Sequence, residues 1–168
     1  MFLYYKFQKK NNIIKKNGRR GFSFIEMIIV IAVLAIIGTL TTAIFSSFHK
    51  IQTLNSDIEQ AISLINKARS YTLLSKNSFQ YGIHFESSRL VFFKGASFTE
   101  PNQDNEEFIF SPLVETFNVS LNGSGSDLIF QRLTGKTNEY GIVPFRLKND
   151  VLKVKIITIE PSGIISAD

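Results

Sequence analysis

The chain has no cysteine among its 168 residues, so no disulfide can staple it. That absence leaves the compartment open, because an oxidising space permits disulfides without requiring them. No proline occurs between residues 22 and 74, so that stretch has no residue that would force a helix to break. No acid occurs in residues 1–21, and no charge of either sign occurs from Met27 to Phe45. Catalytic patterning is also missing. No serine carries the flanking glycines of a nucleophile elbow, and His49 and His84 each stand apart from any second ligand at metal-binding spacing. These gaps argue against an enzyme, a resident metal or a cofactor.

What is present is segregated along the chain. Residues 1–21 hold Lys6, Lys9, Lys10, Lys15, Lys16, Arg19 and Arg20. The remainder has 12 Lys and Arg against 14 Asp and Glu, a net of −2 under an overall +5. The basic balance therefore belongs to the N-terminus, where Lys and Arg beside an apolar span stay on the cytoplasmic side. The folded part is expected on the opposite side. Sixteen Phe and abundant Ile suffice for one apolar core.

From Met27 to Phe45 run 19 uncharged residues, diluted only by Gly38, Thr39, Thr41 and Thr42. That approaches the roughly 20 residues of a membrane helix. One carboxylate, Glu26, sits just inside the apolar segment that starts at Phe22. A charge within such a helix costs at least about 2.5–3.5 kcal/mol, so its placement asks for a reason. A secretory signal cut after Thr41-Thr42-Ala43 is the conventional alternative, but it accounts for neither Glu26 nor the long basic region before it. Beyond Phe45 the apolar residues become periodic. Ile44, Ile51, Leu54, Ile58, Ala61, Ile65 and Ala68 fall along one helical stripe, with Lys50, Asn55, Asp57, Glu59, Asn66 and Lys67 on the wetter side.

After the turn-forming Ser75-Lys76-Asn77-Ser78, the period shifts to two. Phe79–Phe85 and Arg89–Lys94 read as a β-hairpin. Further strands are expected at Phe108–Phe110, Thr116–Leu121, Leu128–Arg132, Ile142–Leu147 and Leu152–Ile159, with a short one at Ile164-Ile165. The fold class is α+β: a long N-terminal membrane-spanning helix packed on an antiparallel β-sheet domain. The expected divisions are a basic leader at 1–21, a transmembrane half-helix at 22–45, an amphipathic half-helix at 46–75 and a β-sheet globular domain at 76–168.

The run of basic residues, Gly21, Phe22, Glu26 and an unbroken apolar segment resembles the type IV pilin and pseudopilin family. That resemblance implies a pilin-like fold and cleavage after Gly21 by a prepilin peptidase, which also methylates the new amine of Phe22. It further implies that Glu26, fifth residue after the cut, guides assembly with other pilin or pseudopilin subunits. Family members often carry a proline at the position held here by Ala43. Cleavage would place the Phe22 amine one helical turn from Glu26, and a buried ion pair of that kind suits the setting of register. Asn66-Lys67-Ala68-Arg69-Ser70, Ile129–Gly135 and Ile156–Ile165 look like segments of pseudopilin H and FimT-type minor pseudopilins, although the closing Gly-Arg of that group is Gly163-Ile164 here.

The expected function is that of a minor pilin or pseudopilin, a structural subunit of a type II secretion pseudopilus at its tip or initiation complex. Its implied partners are other subunits, the prepilin peptidase and an inner-membrane assembly platform. Its implied location is the inner membrane as a single pass, with the leader in the cytoplasm and the C-terminal domain in the periplasm, then a periplasmic filament. The alternative is a DNA-binding minor pilin of a type IV pilus DNA-uptake system. Lys148, Lys153, Lys155, Arg132, Lys136 and Arg146 concentrate positive charge late in the chain, yet the net −2 after the leader disfavours general phosphate affinity. The acids Glu100, Asp104, Glu106 and Glu107 lack the glycine and alternation of an EF-hand loop and read as a solvated loop.

Overall fold

A computed structural model of the protein describes residues 21–168, the side chains of 40–44 excepted. The leader, the Thr41-Thr42-Ala43 alternative and the stripe residue Ile44 therefore lie outside the described side chains. The chain divides between Thr41 and Thr42 into two compact units. The only α-helix among the described residues, α1, is assigned over Phe24–Leu73. Among the described residues no helix is long and apolar enough to cross a membrane, and the expected span 22–45 includes residues 40–44.

In the unit from Thr42 onward, Leu54, Ile58, Ala61, Leu64, Ile65 and Ala68 of α1 are buried, at steps of three and four. Ala61 and Ala68, fully buried, let the helix backbone come close to the sheets. The helix ends where the chain turns left-handed: φ is +48° at Ser75, +52° at Asn77 and +60° at Ser78. Thr72 joins this end to the first strand, because its hydroxyl donates to the Ala68 carbonyl at 2.9 Å and accepts the Tyr81 N–H at 2.9 Å.

Nine strands come after it: β1 (Tyr81–Phe85), β2 (Arg89–Lys94), β3 (Glu106–Ile109), β4 (Val114–Thr116), β5 (Ser120–Leu121), β6 (Asp127–Ile129), β7 (Gly141–Leu147), β8 (Asp150–Ile159) and β9 (Ile165–Ala167). They form two antiparallel sheets, in keeping with the expected antiparallel β-sheet domain. The first has the order β3-β2-β1-β6; the second has the order β4-β7-β8-β9, with β5 also on β7. Ile83, Phe85, Leu90 and Phe92 of the first sheet share one core with Val143, Phe145, Leu147 and Ile157 of the second and with the buried face of α1.

The strand expected at Thr116–Leu121 is broken into β4 and β5, and β7 supplies the reason. Thr116 pairs with Phe145 and Ser120 with Ile142, so three residues bulge opposite two. Pro144 sits at that gap. It has no N–H to offer a neighbour, and its carbonyl accepts the Phe117 N–H at 3.2 Å. Asn118, at φ +48°, turns the bulge.

Asp57 corrects the reading of the helix. Sequence spacing sets it on the wet side, yet it is only 6 % exposed and its carboxylate accepts the Ser111 N–H at 2.8 Å. Burial pushes its carboxyl up from the ordinary range, with the Ser111 bond opposing. A raised folded pKa means the folded state holds the proton more tightly than the unfolded chain. Stability is therefore lost as pH rises from the ordinary carboxylate value through the folded one. Asp57→Asn keeps an oxygen for Ser111 and removes the buried charge. We expect it to raise stability at neutral pH and flatten that acid-side slope in urea unfolding. Asp57→Ala, which strands the Ser111 N–H, should fall about 1 kcal/mol below the Asn variant.

Candidate functional site

The described part of the N-terminal motif begins just ahead of the helix. Gly21, Phe22 and Ser23 precede the helix, and every residue from 21 to 39 is exposed. A side chain added at Gly21 would meet nothing within 4 Å, so packing among the described residues does not require glycine there. Phe22 and Phe24 are 79 % and 82 % exposed.

Ser23 and Glu26 also serve the start of their own helix. The Ser23 carbonyl accepts the Met27 N–H at 3.2 Å, opening α1. The Glu26 carboxylate reaches back to accept the Ser23 N–H at 3.4 Å. Ser-x-x-Glu in this arrangement is half of a capping box, which satisfies a donor that the helix start leaves orphaned. The signal is legible in the residues, but the question of charge burial overshadows it. Glu26 thus has one job inside its own chain, while its side chain remains open to a partner.

Beyond Glu26, Ile25, Met27, Ile29, Ile31, Leu34 and Ile36 are all more than half exposed. This half of the helix is apolar around its circumference, and no described residue covers it.

The other residues singled out from the sequence are distributed differently. His49 packs edge-on against Phe45. His84 has neighbours that its isolation in sequence conceals: Nδ1 lies 2.5 Å from an Asp127 carboxylate oxygen, and Phe98 stacks on the ring at 4.0 Å. Pairing of β1 with β6 sets His84 opposite Asp127. Among the described residues no group of three or more His, Cys, Asp or Glu is placed to hold a metal ion.

The four acids of residues 100–107 are exposed, as expected of solvated groups, and each also pairs with a base. Glu100 and Glu107 pair with Arg89 at 2.9 and 2.8 Å, Asp104 pairs with Lys94 at 3.1 Å, and Glu106 pairs with Lys67. Glu86 completes the Arg89 cluster through two bonds at 2.9 and 2.8 Å. The Arg89 bond holds the Glu86 carboxyl below its usual range. Bonds from Glu86, Glu100 and Glu107 hold the guanidinium charged far above its own. The two arginines of the last third that the sequence groups with its lysines are drawn off singly. Arg146 is paired with Glu115 at 2.7 Å and lies over Phe117, while Arg132 bonds the Ser75 hydroxyl at the end of α1.

Three separate stretches of sequence meet at Arg69. Its guanidinium donates to the Gly135 carbonyl at 3.2 Å and to the Ser162 carbonyl at 3.4 Å. Gly163, at φ +78°, lies so close that an added Cβ would stand 1.9 Å from the Gly135 oxygen.

Residues 16–42 match the prokaryotic N-terminal methylation motif, and residues 21–42 of that match contain Gly21, Phe22 and Glu26 as described. The match supports the type IV pilin and pseudopilin family for this chain. A helix followed by antiparallel sheets is consistent with a pilin-like fold. No curated protein and no solved structure matches the chain.

Proposed function

We propose that this protein is a minor pseudopilin, a non-catalytic structural subunit of a type II secretion pseudopilus that acts at the filament tip or in its initiation complex. The observation that carries the reading is the methylation motif at residues 16–42, continued by a helix whose apolar side chains its own unit leaves exposed. Exposed apolar surface on that scale demands cover. A lipid bilayer supplies it before assembly, and the helices of neighbouring subunits supply it afterwards.

On this reading residues 1–21 are a cytoplasmic leader, residues 22–45 cross the inner membrane, and the domain from Thr42 onward faces the periplasm apart from its first few residues. The prepilin peptidase cuts after Gly21 and methylates Phe22. An open backbone at Gly21 suits entry into a peptidase cleft, since no described residue crowds that position. The inner-membrane assembly platform then draws the subunit out. The Arg69 junction with Gly135 and Gly163 gives the minor-subunit likeness a shared physical locus, because all three resembling segments contribute to it.

Coexpression with a prepilin peptidase tests the proposal. Mass spectrometry should find 21 residues removed and methylated Phe22 at the amino terminus. An intact leader, or a start at Ile44, would overturn it.

A further inference from the structure

We infer that the tip of the β7–β8 hairpin, together with the first turns of α1 after the apolar run, forms a docking surface for the anionic lipid headgroups of the membrane in which the chain is anchored. The inference rests on the membrane-anchored reading above and adds a partner to it.

The hairpin turn carries apolar side chains where a soluble turn needs none. Leu152 is 88 % exposed and Val151 59 %. Both come just after the turn at Lys148-Asn149, in the part of β8 that β9 does not reach, since β9 pairs only with Ile157–Ile159. Lysines flank these residues: Lys148 before them and Lys153 and Lys155 after, against the single acid Asp150. A protruding Leu-Val pair ringed by lysines is the composition of an interfacial anchor. The apolar tips enter the headgroup boundary, while the lysine stems run along apolar surface and keep their ammonium groups at the phosphates.

The tip's position in the fold points to the same partner. Lys50 and Ile51 of α1 line one cleft with Leu147, Asp150 and Lys153 of the hairpin. The hairpin therefore lies against the helix only five or six residues past Phe45. At 1.5 Å per residue that is roughly 8 Å along the axis, within the depth of a headgroup layer. Phe45 and Phe48, 64 % and 63 % exposed, are on the same turns. Aromatic, aliphatic and cationic groups thus converge within two helical turns of Phe45. Two lysines from different elements, Lys50 and Lys153, share the cleft, which gives a phosphate two cations rather than one.

The absence of cysteine makes a direct test practical. The full chain, cleaved and carrying Leu152→Cys with an environment-sensitive fluorophore, is placed in nanodiscs. One set is phosphatidylcholine alone and the other contains about one third phosphatidylglycerol. Both contain a headgroup-level nitroxide quencher, and Ser97→Cys serves as the distant control. The Leu152 probe should be blue-shifted and quenched in the anionic discs, and the control in neither. Reversing Lys50 and Lys153 to Glu should weaken docking by at least about fivefold for each lysine, and added salt should weaken it in the unreversed chain.

Equal, weak quenching in both lipids would overturn the inference. So would a probe that becomes shielded only when neighbouring subunits are added, because a protein would then cover this face. Insertion of the chain is read separately by its resistance to carbonate extraction. Failure to insert removes the anchored reading itself, whereas an inserted chain with a wet Leu152 removes only the lipid surface.

Discussion

Gly163→Ala should be among the most damaging single substitutions in the folded unit, costing on the order of 3 kcal/mol and lowering the Tm by roughly 8–15 °C. Two costs add. Alanine in the left-handed region, at the φ of +78°, loses about 1–2 kcal/mol. Its Cβ would also stand 1.9 Å from the Gly135 carbonyl oxygen and 2.9 Å from the Arg69 Nε. Neither neighbour moves freely, because the Gly135 oxygen accepts from Arg69 and the Ser162 carbonyl beside Gly163 accepts from the same guanidinium. Relief therefore means pulling the last turn away from the end of α1. Gly123→Ala isolates the two costs: its φ is +92° but nothing lies within 4 Å of its added Cβ. It should lose only the backbone part, about 1–2 kcal/mol. Thermal unfolding of the full chain followed by circular dichroism makes the comparison. Equal losses in the two variants would mean the Arg69 junction yields without cost.

Legible in the sequence is what neighbours along the chain decide. Alternation predicts the hairpin of β1 and β2 at Phe79–Phe85 and Arg89–Lys94, and the strands are Tyr81–Phe85 and Arg89–Lys94. Its alternation and its turn are both local. The buried stripe of α1 comes from helical spacing in the same way, with Leu54, Ile58, Ala61, Ile65 and Ala68 all in the core, whereas Ile51 on the same stripe stays exposed.

The misreadings depend on partners far along the chain. Asp57 looks like a solvent-facing acid until Ser111, 54 residues later, brings an N–H to it. The break between β4 and β5 is caused by Pro144 on a different strand. His84 meets Asp127 only because β6 docks beside β1. The division of the strands into two sheets is not legible either, because alternation marks which face of a strand is apolar and carries no label for the sheet it joins. The acids of 100–107 are exposed as read, but their ion-pair partners Arg89, Lys94 and Lys67 come from β2 and α1, out of reach of the local sequence. At the N-terminal motif the position is reversed. Its residues are contiguous and can all be named from the sequence; the structure adds the Ser23–Glu26 cap.

That cap sharpens the expected behaviour of Glu26. Glu26→Ala removes both the carboxylate that caps Ser23 and the charge proposed to meet the Phe22 amine during docking. Glu26→Gln separates the two, because a glutamine three residues past the cap still reaches back to the backbone N–H but carries no charge for an ammonium. We expect both variants to be cleaved after Gly21 and to insert at least as well as the parent chain, since each lacks a charge in an apolar helix. We expect both to fail in the filament. An ammonium buried without its counter-charge costs about 3–5 kcal/mol, which corresponds to a loss of roughly a hundredfold or more in incorporation. Crosslinking between this subunit and its filament neighbours reads the effect, with mass spectrometry of the amino terminus confirming cleavage in every variant. If Gln assembles like the parent while Ala does not, Glu26 serves assembly by holding the first helical turn in shape and the register argument falls. If Gln and Ala fail together after normal cleavage, the charge itself positions the subunit, and the cap only keeps the carboxylate aimed at the helix start until the amine of an incoming neighbour takes the place of Ser23.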